Sequence, residues 1–555
     1  MKLVQTAVQA LLGDTEVQLR QNKDGGWFMT GGCLIPQVSG GEGMSAQEVE
    51  ALLVWQRARR EHWSVRQVYR AVCQCTRQDL KDMRQQLLPY IAEPIELRPG
   101  VASKRSAAQV NLCDLVRVQL EIAKAGGGCQ FRSNPVWVIL CADATPLSID
   151  YIYRLWRSSA TRCDVFVDVW GGVEYAGEFG RWATWWVLDG ADDAPLLRKL
   201  QDVANLNGQV DDLQGDFTWG RDEHGDPRKF ICFLTGDGKG MINQNEKVGT
   251  GGGVKACWDC NEGVDGLEEC MCMCEARLGA FLPSVPPVRR VGDHVHGMCR
   301  ASNAIINRLV QMCKILESNN DARAKGARVK LMQLMEKVRH EASGVPIAER
   351  VAPRPTKAGK FDLTSSRMFL ESKALQADLI GIVRDHSNVE FGVPQGDGTT
   401  RSLQLWVVVT RIVQSLSTIH GLFRHKSVYS ENQLTQLDGS MHILRSGWGA
   451  LGWKSTPWVH WICAHSSFFA RKYGSIYLFS SIPTERKNQP FKRDLKNCFK
   501  GWSLRRPMFT RNGLRHVVNM DALDQGIRLV RAKGEEGTEH LFRFTKRKRH
   551  KRKAG

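Results

Sequence analysis

A chain of 555 residues with 42% apolar and 24% charged residues has the composition of a folded globular protein, which excludes a disordered or fibrous class. Its 77 Lys and Arg against 58 Asp and Glu give a formal charge of +19, a field that draws in polyanions, nucleic acid first among them; a solubility charge without a partner is the alternative. At this length three or four domain-sized units, or one discontinuous catalytic domain with insertions, are both allowed.

The first residues, Met1 to Gly13, hold no sustained apolar stretch, and no run reaches the roughly 18 apolar residues of a membrane span. The chain therefore reads as soluble and not secreted. Its 17 cysteines are then expected to be reduced, with clustered ones serving as metal ligands rather than disulfides.

Residues 1–44 are Gly-rich and carry no assigned role. Residues 45–130 turn helical: Ser45 caps a run to Arg59, Ser64 caps Val65 to Val72, and a third helix covers Arg77 to Leu88. The last two, joined near Cys73 to Thr76, fit either a helix-turn-helix DNA reader or a plain bundle. Residues 131–249 open with three β-branched and aromatic runs, Val136 to Ala142, Cys163 to Trp170 and Arg181 to Leu188. An apparent helix at Ser148 to Trp156 separates the first two. A helix over Ala194 to Ala204 and a fourth strand, Lys229 to Thr235, follow. This order places Asp143 and Asp237 at two strand ends. It is the order with which a ribonuclease-H-like fold begins, and there the first and fourth strands are neighbours.

Residues 250–456 read as a mainly helical insertion, including Asn303 to Glu317 and Arg328 to Ala342, with breaks at Pro283 to Pro287 and Pro353 to Pro355. Residues 457–525 bring a histidine pair and a helix that opens on Glu485. Residues 526–555 end in the cationic run Lys546 to Lys553, a nuclear localisation signal, a phosphate-binding arm or a solvated tail. The fold class expected is α/β: a ribonuclease-H-like mixed sheet interrupted by a large, zinc-bearing helical insertion, behind a helical N-terminal region.

Cutting a DNA phosphodiester needs an activated nucleophile, a stabilised pentacovalent phosphate and a neutralised leaving oxygen. Two hard cations held by convergent carboxylates supply all three. Asp143, Asp237 and Glu485 are the candidate ligands for two Mg²⁺ or Mn²⁺. On the helix, Glu485 and Asn488 share a face and Lys492, Arg493 and Lys496 follow on adjacent turns, so that cation and DNA phosphate meet in one place; a solvated amphipathic helix is the alternative. Trp448, Trp453, Trp458 and Trp461 offer either stacking faces for flipped bases or core packing.

The pattern Glu-x-x-Asn-x-x-Phe-Lys-Arg-x-x-Lys from Glu485 to Lys496 resembles the catalytic-glutamate helix of the V(D)J recombination-activating endonuclease and its Transib-type transposase relatives. Cys257 and Cys260 follow Asp237, and His460 and His465 precede Glu485, at positions similar to that family's. The resemblance implies that these two cysteines and two histidines bind one structural zinc, a set of accepted chemistry. Cys257 and Cys260 with two of Cys270, Cys272 and Cys274 would make a rival local site. The stretch from Asp293 to His296 is similar to another histidine-bearing segment of the family, which makes His296 a candidate DNA contact. The resemblance covers about Val136 to Asn497; the family's long N-terminal zinc-bearing region and arginine-rich end-binding motif have no counterpart here. What it implies is a nuclear transposase or recombinase, acting as a homodimer on double-stranded transposon ends and target DNA, with no membrane partner. A domesticated DNA-binding protein that does not cut, and a nuclease or resolvase that does not join strands, are the rivals.

Overall fold

The computed structural model describes residues 18–21, 27–30, 95–97, 107–125, 134–151, 154–169, 182–190, 194–236, 280–318, 322–343, 361–394, 399–488 and 491, with six positions between 518 and 529. They belong to two compact units. The smaller takes in Met1–Pro94, Arg117–Cys129 and Asn519–Gly555 and holds an antiparallel hairpin of β1 (Gln18–Gln21) and β2 (Trp27–Thr30). The three helices expected between residues 45 and 88 lie outside the described residues, as does the basic tail.

The larger unit, Ile95–Val116 and Gln130–Val518, is mixed α/β. Its strands are β3 (Ile95–Leu97), β4 (Ala107–Gln109), β5 (Val136–Tyr151), β6 (Arg154–Asp168), β7 (Ala183–Asp189), β8 (Phe230–Gly236) and β9 (Arg290–Gly292). They form a seven-stranded sheet in the order β3-β4-β7-β6-β5-β8-β9. The pairs from β3 to β5 are antiparallel, whereas β5 with β8 and β8 with β9 are parallel. The central runs Val136 to Ala142 and Phe230 to Thr235 are almost wholly buried, which is why they read as continuous apolar runs and not as alternating ones.

Three expectations need correction. The helix expected at Ser148 to Trp156 is instead the far end of a long hairpin, with β5 and β6 paired from Trp137↔Asp168 out to Tyr151↔Arg154. Tertiary pairing overrides the short helical pattern because a ladder already formed at the sheet centre extends one residue pair at a time. Asp143 therefore does not end its strand. It is instead the first residue of β5 past the parallel ladder with β8, which stops at Ala142↔Gly236. Finally, the sheet recruits β3 and β4 from before residue 131 and β9 from within the stretch read as an insertion.

Helix α1 (Leu112–Ala125) begins in the larger unit and runs on into residues of the smaller one, and α2 (Ala194–Ala204) and α3 (Leu206–Gly215) follow β7. Gln209 of α3 ties these elements together: its Oε1 accepts from the Leu112 amide and from Trp185 Nε1, and its Nε2 donates to Ala204 O. The remaining helices are α4 (His294–Ser318), α5 (Ala322–Ser343), α6 (Leu363–Glu371), α7 (Lys373–His386), α8 (Leu405–Phe423), α9 (Glu431–Ala450), α10 (Pro457–Ala464) and α11 (Ser466–Tyr473). A small hairpin of β10 (Glu390–Pro394) and β11 (Thr400–Gln404) precedes α8.

These helices share one apolar core with the sheet face that carries Ile139, Cys141, Phe166 and Phe233. Trp137, Phe233, Tyr473 and Phe479 form an aromatic cluster there, with ring centres 5.0–6.4 Å apart. Gly447 lets α9 approach α8, since a Cβ at that position would sit 2.8 Å from Ile412. Helix α8 has the length and mean hydropathy of a membrane-crossing helix, although Arg411, Gln414 and several hydroxyl side chains interrupt its apolar run, and 56% of that window is buried inside the fold. The four clustered tryptophans, Trp448, Trp453, Trp458 and Trp461, are buried core residues.

Candidate active site

Residues 482–488 are helical, and this short helix, α12, lies against the face of the sheet that carries Asp143. Asn488 links the two. Its Nδ2 donates to Asp143 Oδ2 at 2.8 Å and to Glu485 Oε2 at 3.1 Å, while its side chain is buried. Two carboxylates from opposite ends of the sequence are thus held within reach of one amide. Glu485 also faces His296, Nε2 to Oε1 3.4 Å. The hydrogen bond from His296 lowers the Glu485 carboxyl below its ordinary range; burial opposes this, and the charge of His296 and the bond from Asn488 reinforce it.

His296 is itself oriented by Asp293, whose carboxylate contacts its Nδ1 at 2.5 Å. Asp293 is fully buried and accepts from five groups: the amides of Val295 and His296 at the start of α4, the Ser481 amide and hydroxyl, and the His296 ring. Burial by itself would raise this carboxyl, but the bond and charge of His296, aided by His294 and Ser481, hold it well below the usual carboxylate range. One carboxylate thus caps α4, where a negative charge is favoured, and fixes the residue that leads into α12.

On the sheet side, Arg162 is the register partner of Asp143. Its Nε bonds Asp164 Oδ2 at 2.9 Å and its Nη2 donates to Thr484 O at 2.8 Å. Lys487 Nζ reaches Asp164 Oδ1 at 3.4 Å, Trp182 O at 3.0 Å and Thr184 Oγ1 at 3.2 Å. Strand β7 carries an extra residue between the partners of Cys163 and Asp164, so that Thr184 stands opposite Asp164 and donates to it at 3.0 Å. Bulges of this kind re-aim side chains beside functional sites. The Cys141 thiol, two residues before Asp143, is pushed well up by burial and stays protonated.

His460 and His465 are buried, with their Nε2 atoms 3.2 Å apart. A spacing of five does not align on one straight helix, and the chain meets this by breaking: α10 ends at Ala464, His465 takes a non-helical conformation, and α11 begins at Ser466. Two nitrogens on one tetrahedral zinc at about 2.0–2.1 Å lie roughly 3.3 Å apart, so the imidazole pair fits half of such a site. The carboxylate oxygens of Asp143 and Glu485 are likewise the hard donors that magnesium prefers.

Of the residues singled out in the sequence, Asp143, Glu485, Asn488 and His296 come together, and His460 and His465 meet each other. Asp237, Cys257, Cys260, Lys492, Arg493 and Lys496 lie outside the described residues, as do Cys270, Cys272 and Cys274. Among the described residues no group of three or more His, Cys, Asp and Glu side chains is arranged to hold a metal ion; the carboxylate and zinc sets each need members from outside them. Arg162, Asp164, Thr184, Lys487 and Ser481 were not singled out in the sequence. The one signal for them is Asp164 itself, an ionisable residue next to the apolar run Val165 to Val167, which must find a partner when buried.

No protein-family model matches this chain, and no curated protein matches it.

Proposed function

We propose that this chain is a DNA transposase or recombinase of the Transib-like class, with a ribonuclease-H-like core in which Asp143, Asp237 and Glu485 hold two Mg²⁺ or Mn²⁺ ions. The observation that carries the reading is the bridge from Asn488 to both Asp143 and Glu485. The strand order β7-β6-β5-β8-β9, with the first and fourth strands of the core parallel neighbours, supports it, because β8 ends beside Ala142 and Asp237 is the next residue along. The +19 charge supports a nucleic-acid substrate.

When bound, the cations polarise the scissile phosphate and lower the pKa of the attacking group. The protein's own share is placement. Asp143 and Glu485 present oxygens across a gap set by Asn488, while His296, steered by Asp293, faces the same gap and is a contact for the scissile strand. Lys492, Arg493 and Lys496 continue from Glu485 as a cationic track for the flanking phosphates. Cys257, Cys260, His460 and His465 hold one zinc that ties the helical region to the approach to Glu485. In the first step water adds to a phosphodiester and releases a 3′-hydroxyl and a 5′-phosphate. In the second that hydroxyl attacks another phosphodiester, forming one P–O bond as one breaks. Two DNA ends processed together call for a symmetric dimer, and the basic tail addresses the protein to the nucleus.

The test is nicking of supercoiled plasmid by the full chain, followed by joining of a pre-cut 3′-hydroxyl oligonucleotide to a target plasmid, with Mg²⁺ or Mn²⁺. Both reactions should stop with EDTA and in D143N and E485Q. Nicking that persists in D143N, or none with either cation, contradicts the proposal; nicking without joining leaves a nuclease.

A further inference from the structure

We infer that Arg162 is a positioning residue that sets the reach of Glu485 toward Asp143. The inference rests on the reading of those two carboxylates as cation ligands. Arg162 stands opposite Asp143 in the β5–β6 register and is 1% exposed. From there its Nη2 holds the carbonyl of Thr484, the peptide that enters Glu485, at 2.8 Å, and its guanidinium lies over the Phe491 ring, 4.9 Å from the centre. A single side chain thus grips the glutamate-bearing segment on both sides of Glu485 and Asn488, starting from the position paired with the other carboxylate.

Asp164 and Lys487 complete the device. A buried guanidinium needs a counter-charge, and Asp164 supplies it through Oδ2 while its Oδ1 accepts from Thr184 and meets Lys487. Lys487 adds a second hold on α12 through Trp182 O. The arginine fork is what gives direction: its donors leave a rigid plane at fixed angles, so aiming Nε at Asp164 also aims Nη2 at Thr484 and lays the plane on Phe491. A lysine keeps the charge but has neither the fork nor the stacking face. A cluster that only glued the fold would tolerate that exchange in every property except stability.

The experiment compares the full-length protein with R162K and R162M. R162K is the informative variant, since R162M leaves Asp164 without its arginine and can fail to fold. Three quantities are read: amide exchange of peptides covering residues 482–488 without metal, Mn²⁺ affinity by electron paramagnetic resonance, and the rate and half-saturating DNA concentration for plasmid nicking. For R162K, exchange over 482–488 should speed up while that of β5 and β6 does not. Mn²⁺ affinity and kcat should each fall about tenfold or more, the range for outer partners of metal ligands, with half-saturating DNA unchanged. If R162K binds Mn²⁺ and nicks like the wild type, Arg162 merely supports the fold and the inference is overturned, whatever happens to the melting temperature. A wild-type protein that neither binds Mn²⁺ nor cuts strikes the proposed function instead. Even then, equal exchange over 482–488 in wild type and R162K refutes the hold on the helix.

Discussion

Asn488 donates a hydrogen bond to Asp143 although 345 residues separate them in the chain, and the same nitrogen bonds Glu485. In the metal-free protein this amide stands between two carboxylates that would otherwise face each other as like charges. Replacing it by leucine keeps the number and branching of side-chain heavy atoms and removes both donated bonds. N488L should lose about 1–3 kcal/mol in urea unfolding with EDTA present. A saturating divalent cation should recover most of that loss by neutralising the carboxylates. An equal loss with and without the cation would mean that the two oxygens do not share a cation site.

Stability should fall in two stages on acidification. His294 is buried and His420 largely so, and burial pushes both imidazoles down from 6.5 to about 4. The unfolded chain takes up protons near 6.5 that the folded one refuses, so stability drops as the pH falls from about 6.5 to about 4. Asp293 acts later. Its folded carboxyl lies below the ordinary 3.8, so its contribution is intact above that value and is lost only as the pH falls further. Urea titrations across pH should show D293N destabilised at neutral pH, with the upper stage retained and the loss below 3.8 diminished. An unchanged lower limb in D293N contradicts the burial and bonding ascribed to this carboxylate.

The purified chain should carry about one zinc per molecule, as a closed structural site requires. H460A and H465A should each lower the zinc content and the melting temperature, whereas serine at Cys270, Cys272 or Cys274 should change neither. Zinc retained in both histidine variants and lost in the cysteine ones would assign it to the local four-cysteine alternative.

Changing Lys492, Arg493 and Lys496 together to alanine should weaken DNA binding by a similar factor on every sequence. The slope of log affinity against log salt should shrink by about 2–3, as expected for three lost phosphate contacts. A slope equal to that of the wild type removes these residues from the DNA track.

The sequence was most legible where one segment decides its own fate. Leu196, Leu197 and Leu200 at helical spacing gave the helix Ala194–Ala204 its bounds, and the buried runs ahead of Asp143 and Asp237 were strands because an apolar, β-branched run buried on both faces has little other use. Legibility failed where the local pattern is ambiguous or too short. Ser148 to Trp156 carries a helical pattern, yet its backbone is the far end of the β5–β6 hairpin, and β9 is three residues long, too short for any periodicity. The site splits in the same way. Glu485 and Asn488 are one turn apart and could be paired from spacing, whereas Arg162 and Thr484 meet across 322 residues through a backbone carbonyl, which leaves no trace in residue type.

The central claim is that Asp143, Asp237 and Glu485 share divalent cations, and its most direct test is anomalous diffraction from crystals of the full-length protein soaked in Mn²⁺. The account predicts manganese peaks between Asp143 and Glu485, with an oxygen of Asp237 among the ligands and Asn488 still beside them. Manganese bound elsewhere, with the gap between Asp143 and Glu485 empty or the Asp237 carboxylate turned away from it, would contradict the account.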